Sequence, residues 1–281
     1  MELYSNIVKY YYKLNEYQSS KIDWCENNYQ VSIYVCEFMN TISSFSYIFI
    51  ACFGYVFFPN TYINKVKSNI VKYRYYKLYN YYSKIYFVLF LLGLFTFEFH
   101  LKLSKWGQFF DELLIIVLLL LLNLDCDLGI NRILFTTTIS GIILIEPKYN
   151  IYFLLGLGII RWLELYKSVC NNSDIIAKRI FIQGTLYNLL AVFYWVIDIC
   201  LCEYLYVSTN FVWHFFSALT LHYYIIYTIW YYISFISPNT KYEDDKRYLI
   251  FLYDEKYLLY YTYNIEYYYC LPYIYYRCNI M

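Results

Sequence analysis

The chain predicts an all-α membrane fold, a seven-transmembrane helix bundle. Of its 281 residues 61% are hydrophobic and only 15% are charged, with a formal net charge of +1. Apolar stretches near membrane-spanning length, about 17–25 residues, recur along it, and the few polar residues inside them gather toward one membrane face. The near-neutral balance argues against a nucleic-acid partner. Tyr, with 42 copies, is too evenly spread to mark a site. Nine cysteines, none in a CxxC pair, give no zinc-finger or redox motif.

Taken in order, residues 1–34 form a polar N-terminal segment with no short apolar core and A-x-A-like cleavage site. The membrane domain is expected at 35–236. Its spans are read at about 35–58, 84–102, 110–125, 130–146, 150–167, 178–201 and 210–236. The third, "ELLIIVLLLLLNL", is the least ambiguous, while the first and sixth carry the most polar residues, Glu37, Asn40 and Ser43, then Gln183, Asn188 and Asp198. Residues 237–281 lose the long apolar runs and read as a Tyr-rich tail, or as amphipathic pieces on the membrane surface. Lys65, Lys67, Lys72, Arg74, Lys178 and Arg179 fall on the side shared with the tail. The positive-inside rule therefore makes the tail cytosolic and the N-terminus lumenal or extracellular.

Seven spans place particular polar residues at one end of the bundle. Thr96 and His100, four apart, share a helix face at the far end of the second span. Asp111 opens the third, Asp198 lies near the end of the sixth, and Asn210 and His214 open the seventh. Two of the chain's three histidines belong to this group. Imidazoles so placed suit Zn²⁺, which in catalytic sites keeps three protein ligands and one open position. The fold prediction thus gains an intramembrane metal site. Asp111 is the candidate general base and then acid, and Thr96 the candidate donor to a developing oxyanion. A lone buried His or Asp is as readily a packing residue. Convergence favours a site, because each unpaired polar group costs several kcal/mol in lipid. His222, two turns beyond His214, reads as packing.

The stretch "KIDWCENNYQVSIYVCEFMN" raises a second question, since it concentrates acids just before the first span. Asp23, Glu26, Asn28 and Glu37 side chains and the Trp24 carbonyl have the oxygen chemistry of a calcium site. The alternative is a solvated segment that caps a helix.

Four ordered blocks resemble the alkaline ceramidases, seven-span hydrolases of the superfamily that includes the progestin and adipoQ receptors. They are "KIDWCENNYQVSIYVCEFMNTIS", "TFEFHLKLSKWGQFFDELLII", "FYWVIDICLCE" and "NFVWHFFSAL", spread over roughly residues 20–236. The resemblance implies hydrolysis of ceramide to a sphingoid base and a fatty acid by zinc-activated water, in the endoplasmic reticulum or Golgi. It implies zinc at His100 and His214, with Asp111 activating the water. Calcium is implied at Asp23, Trp24 (main chain), Glu26, Asn28 and Glu37, and a disulfide between Cys25 and Cys202. The sequence departs from the family pattern twice. Thr96 stands where the family has Ser, which keeps the hydroxyl. Asn210 stands where the family has the first His of H-x-x-x-H, so a third imidazole ligand is missing. The alternative expectation, which Asn210 suits, is a non-catalytic lipid-binding receptor or pseudoenzyme.

Overall fold

The computed structural model describes residues 24–57, 69–122, 138, 149–171, 175–205 and 208–236. Residues 1–23, the expected fourth span at 130–146 and the tail from 237 lie outside the described residues, and Asp23 with them.

Among the described residues regular structure is helical: α1 (Phe38–Ser43), α2 (Phe45–Phe57), α3 (Asn69–Lys102), α4 (Lys105–Leu121), α5 (Asn150–Cys170), α6 (Ile175–Leu205) and α7 (Asn210–Ile236). Three stretches are long and apolar enough to cross a membrane, Phe38–Val56, Tyr79–Lys102 and Ala177–Cys202. They mark a membrane protein. Helix α3 corrects one expectation, since its backbone stays helical through 69–83, which the sequence reading assigned to a loop. Its 34 residues extend roughly 51 Å at 1.5 Å per residue, longer than a bilayer core of about 30 Å. The apolar window alone therefore underestimates the helix.

Helices adjacent in sequence pack side by side, α2 on α3, α3 on α4, α4 on α5 and α5 on α6. Helix α7 lies along α6 and also against α1, α2 and α3, which closes the ring. The periodicity of α3 explains its central place. Tyr82, Ile85, Leu89, Leu92, Thr96 and Phe99 recur at three- and four-residue spacing and are all buried, so one stripe faces inward along most of the helix. Thr96 and His100 continue that stripe to its end. Gly93 lets α2 approach: a Cβ there would lie 2.6 Å from Ile48 Cγ1 and 3.0 Å from Ile48 N.

The α3–α4 turn is tight. Leu103 adopts φ 49° and its N–H donates to Phe99 O at 2.6 Å, a left-handed C-terminal stop on a non-glycine residue. Ser104 then caps α4, its Oγ accepting from Gly107 N at 2.9 Å. This hairpin returns α4 antiparallel beside α3.

Residues 24–37 form a strap over the same end of the bundle. Cys36 N and Glu37 N donate to Leu101 O and His100 O, both at 3.0 Å. The strap's other end is joined to α6 by the disulfide Cys25–Cys202, with Cα atoms 5.3 Å apart.

Two outcomes follow from this packing. Gly93→Val should destabilise the bundle by about 1–3 kcal/mol through overpacking, read as a lower midpoint in gel filtration of heated, detergent-solubilised protein. Cys202→Ser should abolish the mobility difference between reduced and non-reduced protein and cost about 2–4 kcal/mol of stability.

Candidate active site

The polar residues placed at one end by the sequence reading arrive there on four different elements. Helix α3 brings Thr96 and His100, α4 brings Asp111, α6 brings Asp198, and α7 brings Asn210 and His214. The strap and α1 add Glu37, Asn40 and Ser43. His100 and His214 are 1% and 3% exposed, and their ring centroids lie 4.9 Å apart. Residues 114 positions apart in sequence thus meet in one buried interior, their rings tilted by 54°.

The hydrogen bonds fit one tautomer of both rings. His100 Nδ1 lies 2.5 Å from Glu37 Oε2. With Glu37 ionised, Nδ1 carries the proton and Nε2 keeps its lone pair. His214 Nδ1 lies 2.7 Å from Ser43 Oγ, whose single hydroxyl proton goes to Asn40 O at 2.9 Å. In that arrangement Ser43 accepts from His214 Nδ1–H, which again leaves Nε2 with a lone pair. Two neutral imidazoles with Nε2 lone pairs, one beside a carboxylate, have the ligand chemistry of a divalent d-block ion.

Asn210 completes the group in an unusual way. It is 1% exposed, its Nδ2 sits 3.5 Å from His214 Nε2, and its Oδ1 is buried without a hydrogen-bond partner among the described residues. Among the described residues no cluster of three or more His, Cys, Asp or Glu side chains could hold a metal ion. The nitrogen ligands available are therefore two, and the remaining protein donor beside them is an amide. Asp111 accepts a hydrogen bond from Thr96 Oγ1, which also lies 2.8 Å from Leu92 O. The candidate base and the candidate oxyanion donor are thus in direct contact.

Glu37 is engaged differently from the sequence expectation. Its Oε1 accepts from Trp24 N at 3.2 Å, and its Oε2 from Asn40 Nδ2 at 2.9 Å and from His100. It faces the histidine pair as well as the strap. Glu26 caps α1, accepting from Met39 N at 2.6 Å and Asn40 N at 2.9 Å. Burial pushes the Glu26 carboxyl above its ordinary range, while these two N–H groups pull it back. Asn28 Oδ1 accepts from the Cys36 thiol at 3.0 Å. The side-chain oxygens of Glu26, Asn28 and Glu37 thus each accept hydrogen bonds in or beside the strap, and the Glu26 bonds are those of a helix cap.

Three participants had little sequence signal. Ser43 was noted only as a polar residue in the first span, yet it fixes the His214 tautomer. Tyr47 Oη lies 2.6 Å from Ser217 Oγ, and its ring is 5.8 Å from that of His214; among 42 tyrosines it had nothing to distinguish it. Asp198 emerges as a cap on α7, described below. His222, read as packing, is buried among Phe53, Tyr86 and Tyr223 with Tyr86 Oη 3.4 Å from its Nδ1.

Beneath this polar end lies a cavity of about 450 Å³, walled almost entirely by apolar side chains of α2–α7. Leu92, Tyr47 and Ser217 line its upper part and border Thr96 and His214. Leu155 and Ile159 of α5 and Leu189 of α6 line it while remaining 38%, 57% and 60% exposed. The cavity wall on this side thus also forms part of the outer surface of α5 and α6.

Comparison with known proteins agrees with this picture. Residues 16–251 match the model of the ceramidase family. The chain is 26% identical over 241 residues to the alkaline ceramidase of Drosophila melanogaster, covering 79% of this chain and 80% of that protein. It is 36% identical over 104 residues to human alkaline ceramidase 1, and 32% identical over 95 residues to mouse alkaline ceramidase 3. These matches span only 34% and 30% of the two mammalian relatives. The family match covers most of the membrane domain and every residue of the buried cluster, and on that ground the chain belongs to the ceramidase family.

Proposed function

We propose that the protein hydrolyses the amide bond of ceramide, or of a related N-acyl sphingoid lipid, to a sphingoid base and a fatty acid. The observation that carries this reading is the placing of His100, His214, Asp111 and Thr96 directly above an apolar cavity. Such a cavity takes hydrocarbon chains, and the polar end meets the amide that joins them.

On this reading His100 and His214 would hold zinc, with Asn210 standing as a weaker ligand in place of a third imidazole. When bound, zinc supplies Lewis-acid activation, lowering the pKa of water to about 7. Glu37 and Ser43 keep the two imidazoles in the ligating tautomer. Asp111 takes the proton of the attacking water and returns it to the leaving nitrogen as the C–N bond breaks. Thr96 turns its hydroxyl from Asp111 and donates it to the oxygen that gains charge in the tetrahedral transition state. Water attacks the acyl carbon, and the products are the free amine and the carboxylic acid.

Calcium is proposed on the strap, held by Asp23, Glu26, Asn28, Glu37 and the Trp24 carbonyl. Its role is to brace the strap that orients His100 through Glu37. The fold is proposed as a seven-span bundle in the endoplasmic reticulum or Golgi, with the N-terminus lumenal and the C-terminus cytosolic. The Cys25–Cys202 bond supports that orientation, because disulfides persist in an oxidising lumen.

Purified protein should release fatty acid from a ceramide in detergent; absence of release from neutral to alkaline pH, with or without calcium, would overturn the reading. Asp111→Asn should lower kcat by about 10²–10⁴-fold, the range of a lost general acid–base group, and leave the thermal midpoint nearly unchanged. Chelation by 1,10-phenanthroline should abolish turnover and added zinc restore it. Asn210→His should raise the zinc retained through purification, measured by elemental analysis; unchanged retention would remove Asn210 from the ligand set.

A further inference from the structure

Asp198 is 2% exposed and lies on α6, outside the groups assigned above to zinc, calcium or proton transfer. Its Oδ1 accepts from Thr209 N at 2.6 Å and from Asn210 N at 2.9 Å. Those are amides of the first turn of α7, which otherwise lack partners within the helix. A carboxylate there also faces the positive end of the helix dipole. Its Oδ2 accepts from Cys25 N at 3.1 Å, 173 positions away in sequence. Cys202, one turn beyond Asp198 and on the same face of α6, is the disulfide partner of Cys25. The strap is therefore clasped at a single residue by two neighbouring groups of α6.

From Cys25 the connection continues. Trp24 N donates to Glu37 Oε1, and Glu37 Oε2 holds His100 Nδ1. On the other side, Asn210 is the residue whose amide Asp198 holds, and His214 lies one turn along α7. A circuit of bonds thus runs from His214 through α7, Asp198, Cys25, Trp24 and Glu37 to His100. It links the two imidazoles by a route that contains no metal.

We infer that Asp198 is a positioning residue that sets the start of α7, and so His214 and Asn210, in register with His100. The inference rests on the proposed zinc amidase reading. Asp198 touches neither the substrate nor an ion. It fixes where the Nε2 lone pairs meet before an ion arrives, and couples that geometry to the disulfide-closed strap.

The test compares the full-length wild type with Asp198→Asn in detergent. Asparagine keeps the size and one acceptor but turns an N–H₂ toward a backbone donor. Metal-stripped protein is titrated with Co²⁺ alone and followed by its visible absorption, while deuterium exchange is measured across α7. The expected result is Co²⁺ binding about 10–100-fold weaker, the range for lost outer-shell partners of ligating histidines, with the Cys25–Cys202 bond intact. Amide exchange should accelerate locally at 209–214. Unchanged Co²⁺ affinity with a lowered thermal midpoint would make Asp198 merely structural and overturn the inference. If wild type takes up no Co²⁺, the metal reading itself fails, and the exchange data alone decide: acceleration confined to 209–214 upholds positioning, and no or uniform acceleration overturns it. Where Asp198→Asn fails to fold, Asp198→Glu keeps the charge and shifts the carboxylate by one methylene. It should show the same affinity loss at smaller size, and unaltered affinity and exchange would again overturn the inference.

Discussion

The carboxylate of Glu37 is the constraint on which the polar end of this bundle depends. It is fully buried, and in so apolar an interior an unpaired charge is costly. Its two oxygens take donors from three directions: Trp24 N in the strap, Asn40 Nδ2 in α1 and His100 Nδ1 in α3. Satisfying one side chain therefore fixes three segments against each other. The main-chain bonds from Cys36 and Glu37 to the last carbonyls of α3 reinforce the same junction. His100 gains a defined tautomer as a consequence of folding, before any ligand is considered.

Around that junction the molecule divides into two regions with opposite requirements. The strap end gathers Glu37, Asn40, Thr96, His100, Asp198, Asn210 and His214, all buried, and joins them across the strap, α1, α3, α6 and α7. One turn below, the wall becomes Leu, Ile, Trp and Tyr, and encloses the cavity. A lipid whose polar linkage sits at the head of long chains matches this boundary: the linkage meets donors and acceptors, the chains meet hydrocarbon. The exposed lining of α5 and α6 lies on the side where such a lipid already resides.

Much of this was legible in the sequence, and the limits have physical causes. Helices α5 to α7 were readable within a few residues because their apolar runs end near the helix ends. The start of α3 was missed because helicity outlasts hydropathy: residues 69–83 are too polar and Tyr-rich for a span, yet compatible with a helix. Thr96, His100, Asp111, Asn210 and His214 were readable because a polar residue in an apolar run must have a partner. The partners themselves were not. Ser43 and Tyr47 contribute through rotamers and helix rotation, which spacing does not encode. Glu37 sits at the strap's junction with α1, where composition suggests oxygen chemistry but not the turn toward His100. Asp198 was noticed as polar, but its role as a cap depends on where α6 ends relative to α7.

Asn210 is where local energetics and proposed chemistry meet. An imidazole at this position would offer a lone pair of its own toward the pair of histidines. The amide instead turns its N–H₂ toward His214 Nε2 at 3.5 Å, a long and weak contact, and leaves Oδ1 buried with no partner among the described residues. A buried acceptor left unpaired costs about 1–3 kcal/mol. On the proposed reading, an ion beside His100 and His214 would offset that cost, and the amide in place of a third imidazole would weaken the ligand set without abolishing it.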